Sequence, residues 1–251
     1  MIMPIKIAMI SYLNTLPFRY GLDLYPFTYP VEVQYLTPAK AAQSVIEGNS
    51  HLGIMPSATL PKFGVDRVIS DWCIGADGEV GSVVICSNRT ISECRVLYMD
   101  NHSKTSQQLA RLLLKKRWNI EPQLLPFSYE NESIESDKSY LLIGDKALLH
   151  KGSFSYIYDL AEEWKGLTQL PFVFACWIAR NTLESAFIEQ FNSAMEFGVN
   201  NIERAIEWEK NSFGVEFTRH YLTNQISYPL DDKKREGLME FLKMGESLQL
   251  G

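Results

Sequence analysis

The amino-acid sequence predicts an α/β protein of two lobes, joined by two crossover strands, with a ligand cleft between the lobes. Three observations predict it. The first third alternates strand-like and helix-like segments, the pattern of a mostly parallel sheet with helices on its faces. The middle region repeats that alternation with strands and helices of its own. Two apolar runs, near residues 83–87 and 172–179, border this middle region and are placed to carry the chain out and back.

Each element has a local reason. "IKIAMISYL" reads as a short buried strand, and "VEVQYL" alternates apolar and polar residues as a half-buried strand does. "TPAKAAQSVIEGN" opens a helix with Thr37 as N-cap and Pro38 in the first turn. It lines up Ala41, Ala42, Val45 and Ile46 and stops at Gly48. "HLGIMPS" is a third strand, ending in Ser57. After the glycine-rich turn "GADGEVG" come the strand "SVVICS", the strand "CRVLYMD" and the helix "NHSKTSQQLARLLLKKRW" with Leu109, Leu112, Leu113 and Trp118 on its apolar side. "PQLLPF", "YLLIGD", a short "KALLH" helix and the helix "DLAEEWKGLT" follow, then the long apolar strand "PFVFACWIAR". From Leu183 onward the pattern is helical, with Leu183, Phe187, Phe191 and Met195 at helical spacing. The expected lobes are residues 1–85 plus 175–251, including the C-terminal helices, and residues 86–174.

Composition narrows the function. The chain has 251 residues, 46% hydrophobic and 22% charged, which is globular usage. A formal charge of −6 argues against nucleic acid as a partner, because phosphate backbones are bound by clustered Lys and Arg. "MIMPIKIAMI" has a Lys within its apolar run and no small-residue cleavage site behind it, so a secretory signal is not expected. No stretch approaches the roughly 20 apolar residues of a membrane span. Cys73, Cys86, Cys94 and Cys176 lack C-x-x-C spacing and read as buried, reduced thiols of a cytoplasmic protein. His51, His102, His150 and His220 form no metal-binding spacing, and no phosphate-cradling glycine motif is present.

The candidate site residues gather at element ends. A core strand has no use for Ser11, Tyr12 and Asn14 at its tip, whereas the wall of a cleft does. Ser103, Thr105 and Ser106 stand where a strand passes into a helix, and free N–H groups with the positive helix end suit a carboxylate there. Ordinary N-capping needs only one of those hydroxyls. Ser82 precedes a strand without any G-x-S-x-G elbow or His–Asp pair. Asp145 ends a strand and reads either as a helix N-cap or as a site residue. Phe172 and Phe174 share one strand face and read as core. The residues alone thus reach a small-anion site and leave enzyme and binding module open.

These segments resemble the chorismate dehydratase family of menaquinone biosynthesis, which opens the futalosine route. The matching stretches are "SYLNTLPF", "GEVGSVVICS", "MDNHSKTSQQLARLLL", "LLIGDKALL" and "YDLAEEWKGLTQLPFVFACWIAR", in family order over about residues 5 to 180. The resemblance implies a type 2 periplasmic-binding-protein-like fold and conversion of chorismate to 3-[(1-carboxyvinyl)oxy]benzoate and water without a cofactor. It implies Asn14 and Ser82 at the reacting end of the substrate, and Ser103, Thr105 and Ser106 at a substrate carboxylate. Ser11, Tyr12, Ser57 and Asp145 are expected to contact substrate as well. The sister family, which makes 1,4-dihydroxy-6-naphthoate, opens with a Ser-Pro-Cys-Pro-Asn-Asp type segment in place of Ser-Tyr-Leu-Asn. A solute-binding or sensory protein on the same fold is the other alternative. The chain departs from many relatives where Pro and a basic residue are replaced by Glu79 and Gly81, so a carboxylate would need neutral donors or another cation, such as Arg19 or Lys104.

Overall fold

The computed structural model describes residues 3–100, 103–129 and 131–248; Asn101 and His102 of the "DNHSKTS" segment lie outside them. The chain divides into two compact units, Met1–Gly75 with Val173–Asp231, and Ala76–Phe172 with Asp232–Gly251.

The first unit begins with β1 (Ile5–Ile10), α1 (Leu16–Leu24), β2 (Val31–Leu36), α2 (Pro38–Glu47), β3 (Leu52–Pro56) and β4 (Val68–Ala76). The second unit follows with β5 (Val83–Ser87), β6 (Val96–Asp100), α3 (Lys104–Lys116), β7 (Gln123–Phe127), β8 (Ser139–Ile143), α4 (Gly144–His150), β9 (Tyr156–Asp159) and α5 (Leu160–Thr168). The strand β10 (Phe172–Ala179) brings the chain back, and α6 (Ser185–Asn200), α7 (Ile202–Trp208), α8 (Val215–His220) and β11 (Ser227–Pro229) complete the first unit. The last helix, α9 (Asp232–Ser247), belongs to the second.

The first unit holds a six-stranded sheet in the order β11-β4-β10-β3-β1-β2. β1 pairs parallel with β2 and β3, so α1 and α2 are the crossover helices that parallel pairing requires. β10 enters antiparallel to β3, with Trp177 opposite Ile54. α1 lies against α6 at backbone distance: a Cβ at Gly21 would meet the Ala194 carbonyl oxygen at 2.1 Å, and one at Gly198 the Pro17 oxygen at 1.9 Å. Phe18 on α1 fills the space beneath, its ring 5.8 Å from Trp177 and 5.3 Å from Tyr228.

The second unit holds a five-stranded sheet in the order β7-β6-β8-β5-β9, with β6 parallel to β7 and β8, and β5 antiparallel to β8 and β9. α3 turns Leu109, Leu112 and Leu113 fully inward. α9 packs along α3, and Phe241 sits 5.0 Å from the Phe172 ring and 6.1 Å from Trp164, all three closed to solvent.

Two expectations need correction. The expected first crossover strand, residues 83–87, is β5, which lies wholly inside the second sheet between β8 and β9. The chain changes unit earlier, at the end of β4 between Gly75 and Ala76, and returns at the start of β10 between Phe172 and Val173. The lobe boundaries also differ from those expected, because the terminal helix groups with the second unit, where its apolar face covers α3, Trp164 and Phe172.

Candidate functional site

In the first unit, β1 and β3 run side by side with Ile7 opposite Leu52 and Ala8 opposite Gly53. Continued along both strands, that register brings the segment after Ile10 level with the segment after Pro56. Ser11, Tyr12 and Asn14 therefore leave the sheet beside Ser57. Thr15 ties the bend down, its buried hydroxyl within 2.6 Å of the Ile10 carbonyl and 2.8 Å of that of Tyr12. The chain then turns through a short 3-10 segment, Leu13–Thr15, and α1 begins with Pro17 in its first turn, where a missing N–H costs nothing. The buried Tyr228 hydroxyl donates to the Asn14 carbonyl at 3.0 Å and fixes the backbone at that residue. Burial pushes the Tyr228 phenol well above its ordinary range, so this donor stays protonated.

Ser57 is fully buried, and its hydroxyl has no hydrogen-bond partner among the described residues. An unsatisfied buried hydroxyl is costly, and a ligand group is one way to satisfy it. Ser11 is exposed, while Tyr12 and Asn14 are half-buried. Arg19 does not supply a spare cation: its guanidinium forks onto the Glu209 carboxylate, with one contact at 2.8 Å and the other through Nη1 and Oε2.

The second unit gathers its candidates at one sheet edge. β5 starts where β8 ends, with Val83 opposite Ile143, and β6 ends level with β8 because Met99 stands opposite Leu141. Ser82, Asp145 and the start of α3 thus share an edge. Ser82 is buried, and its carbonyl accepts the Gly144 N–H at 2.7 Å. Gly144 has a φ of 58°, a left-handed conformation that glycine adopts without a Cβ penalty. Asp145 falls in the first turn of α4 and is half-buried; the N-cap position belongs to Ile143, so the capping role considered for Asp145 is not what the structure shows. At α3, Ser103 is the N-cap, its Oγ accepting the Ser106 N–H at 3.2 Å and the Ser106 hydroxyl at 3.0 Å. Two of the three hydroxyls are therefore engaged with each other, and Thr105 is fully buried.

Two residues at this edge went unread in the sequence. Lys146 places its ammonium 3.3 Å from the fully buried Asp100 carboxylate and 5.1 Å from the centre of the Tyr129 ring, putting a cation beside β6 and α4. Asp159 caps α5 with Oδ1, which accepts the Ala161 and Glu162 N–H groups at 3.0 and 3.2 Å. Its Oδ2 accepts the N–H groups of Val80 (3.1 Å) and Gly81 (2.6 Å), directly before Ser82. Burial pushes this carboxyl up to about 6, against the four donors that favour its ionised form. The Asp-Leu-Ala-Glu-Glu stretch did carry an N-cap signal, but nothing in it pointed to Val80.

Four free cysteines are all buried, and burial pushes Cys86 up to about 12. Among the described residues no group of three or more His, Cys, Asp or Glu is arranged to hold a metal ion, and no helix is long and apolar enough to cross a membrane.

The architecture is that of the periplasmic-binding-protein-like class. It is similar to a structure from Archaeoglobus fulgidus at a TM-score of 0.77 and 18% identity, covering 99% of this chain and 98% of that one. It also resembles the alkanesulfonate-binding protein of Xanthomonas axonopodis pv. citri bound to MOPS, at a TM-score of 0.68 and 13% identity, over 98% and 93% of the two chains. Within that class the sequence is specific: the model of the menaquinone biosynthesis family matches residues 5–247, and the chain belongs to that family. It is 25% identical to a chorismate dehydratase from Thermus thermophilus over 95% of this chain and 94% of the relative.

Proposed function

We propose that the chain is a chorismate dehydratase, a lyase that removes water from chorismate to give 3-[(1-carboxyvinyl)oxy]benzoate in the cytoplasm, without a cofactor. The observation that carries this reading is the end-to-end match to a relative of that name within a menaquinone biosynthesis family. The local chemistry is compatible with it. Loss of the ring hydroxyl and of the neighbouring C–H proton makes an aromatic ring, so the driving force resides in the substrate. The protein must orient the reacting groups, assist the leaving oxygen and provide a place for the proton.

Asn14 and Ser82 are assigned to the reacting end. Neither is a base at neutral pH, so a substrate carboxylate takes the proton while Asn14 and Ser82 hold it in position and hydrogen-bond the departing oxygen. Ser57, whose buried hydroxyl has no partner among the described residues, is assigned to a polar group of the substrate, with Ser11 and Tyr12 beside it. Thr105, supported by Ser103 and Ser106, is assigned to a carboxylate at the start of α3, with Asp145 nearby. Lys104, exposed in the first turn of α3, is the cation suited to that carboxylate, since Arg19 is committed to Glu209.

Purified protein incubated with chorismate, with no added metal or nucleotide, is expected to release the aromatic product, followed by absorbance and mass spectrometry. No turnover, with tight binding of another small anion, would assign the chain to the solute-binding or sensory alternative. Turnover of a cyclic futalosine compound in its place would assign it to the naphthoate-forming sister family.

A further inference from the structure

We propose that Asp159 is a positioning residue for Ser82: one carboxylate oxygen caps α5, while the other clamps the Val80–Gly81 backbone and so sets where the Ser82 hydroxyl points. This rests on the assignment of Ser82 to the reacting end of the substrate.

The geometry separates the two tasks. A helix cap needs one oxygen, and Oδ1 fulfils that need with Ala161 and Glu162. Oδ2 has no part in the cap and reaches across seventy-eight residues of sequence to Gly81 at 2.6 Å. Asp159 is 5% exposed, and its contacts among the described residues are all main-chain N–H groups. A buried carboxylate with no cation is tolerated only when its lone pairs are filled this way, so the clamp is part of what keeps Asp159 in place.

The loop it holds needs a tie. Gly78 and Gly81 have φ of 126° and 71°, backbone states reached readily by glycine, and glycine brings freedom that must be removed again. From the other side, the Ser82 carbonyl is fixed by the Gly144 N–H. Ser82 is thereby held on both flanks: by the α5 cap through Asp159 and by the start of α4 through Gly144. A displacement of about 1 Å at a reacting group is enough to cost roughly a hundredfold in rate.

Two variants of the full chain remove the clamp and keep the cap. Asp159→Asn retains one acceptor oxygen for α5 and turns an NH2 toward the Val80 and Gly81 donors. Asp159→Ser caps α5 with a shorter side chain that cannot reach the loop. In both, hydrogen exchange of the Val80 and Gly81 amides is expected to accelerate by at least about tenfold while that of Ala161 and Glu162 changes little. Turnover of chorismate is expected to fall roughly tenfold to a hundredfold in kcat, with KM changed much less. In a Ser82→Ala background the same substitutions should cost almost nothing further in kcat. Equal losses of kcat with and without Ser82, or unchanged amide exchange, would overturn the proposal and leave Asp159 a helix cap. If one variant fails to fold, the other decides. Should the wild-type chain not turn over chorismate, the proposed function falls, and the clamp stands or falls on amide exchange alone.

Discussion

The side chains assigned to chemistry are ones that cannot act alone. An amide and a hydroxyl neither accept a proton readily nor attack without an activating base, so the role proposed for Asn14 and Ser82 is one of placement. If both touch the departing oxygen, Ser82→Ala and Asn14→Asp lower kcat by roughly a hundredfold each, the typical cost of one lost donor to developing charge. Steady-state kinetics beside direct chorismate titration separates rate from binding, and near-normal kcat in both variants would return these residues to structural strand ends. Sequence reading singles out Asn14 as a polar residue at the tip of an apolar strand, where packing offers no reason for polarity. Ser82 is singled out by the family resemblance, since a lone serine before a strand otherwise reads as an edge hydroxyl. It does not reach Asp159 or the engagement of Arg19. Glu209 lies far along the chain from Arg19, and the Val80–Gly81 loop far from Asp159, so only the folded backbone brings the partners together.

At the scale of elements, the start of α3 separates two roles that the sequence leaves entangled. Ser103 is the cap, so Ser103→Ala is expected to cost about 1 kcal/mol of stability, read as a lowered melting temperature, and to weaken chorismate binding less than the loss of the Thr105 hydroxyl does. Thr105→Val, nearly constant in volume, is expected to weaken chorismate binding clearly. A drop in melting temperature with unaltered affinity in Thr105→Val would remove the carboxylate from this helix. Elements with complete local signals are the ones legible beforehand. β2 is marked by the apolar alternation of Val31, Val33 and Tyr35 within Val31–Leu36, and α2 by Thr37, Pro38 and Gly48, whose φ of 82° is the left-handed stop that glycine allows. β4 carries no such signal, because "VISDWCIGA" places Asp71 and Trp72 in its middle and breaks the alternation. It is a strand through its place in the sheet, next to β10 and paired antiparallel with β11.

For the whole molecule, the α/β class and the long apolar strand β10 were legible from pattern, but the membership of α9 was not. Helical spacing says which face is apolar and is silent about what covers it. Phe241 answers that question by packing on Phe172 and Trp164. Phe241→Ala is expected to cost about 3–5 kcal/mol in the second unit. Hydrogen exchange should then quicken through α3 and α5 while β1 and β3 keep their protection. Uniform loss of protection across both units would mean that α9 supports the entire chain.

The change of unit between Asp231 and Asp232 orders events during synthesis. The second unit is translated almost to completion by Phe172, then waits while β10, α6, α7, α8 and β11 are made before α9 arrives. Until then the apolar surface that α9 covers on α3, Trp164 and Phe172 lacks that cover, and transiently exposed apolar surface favours aggregation. The helix that ends this exposure is thus a late seal. A nascent chain stalled before Asp232 is expected to aggregate more readily than the full chain.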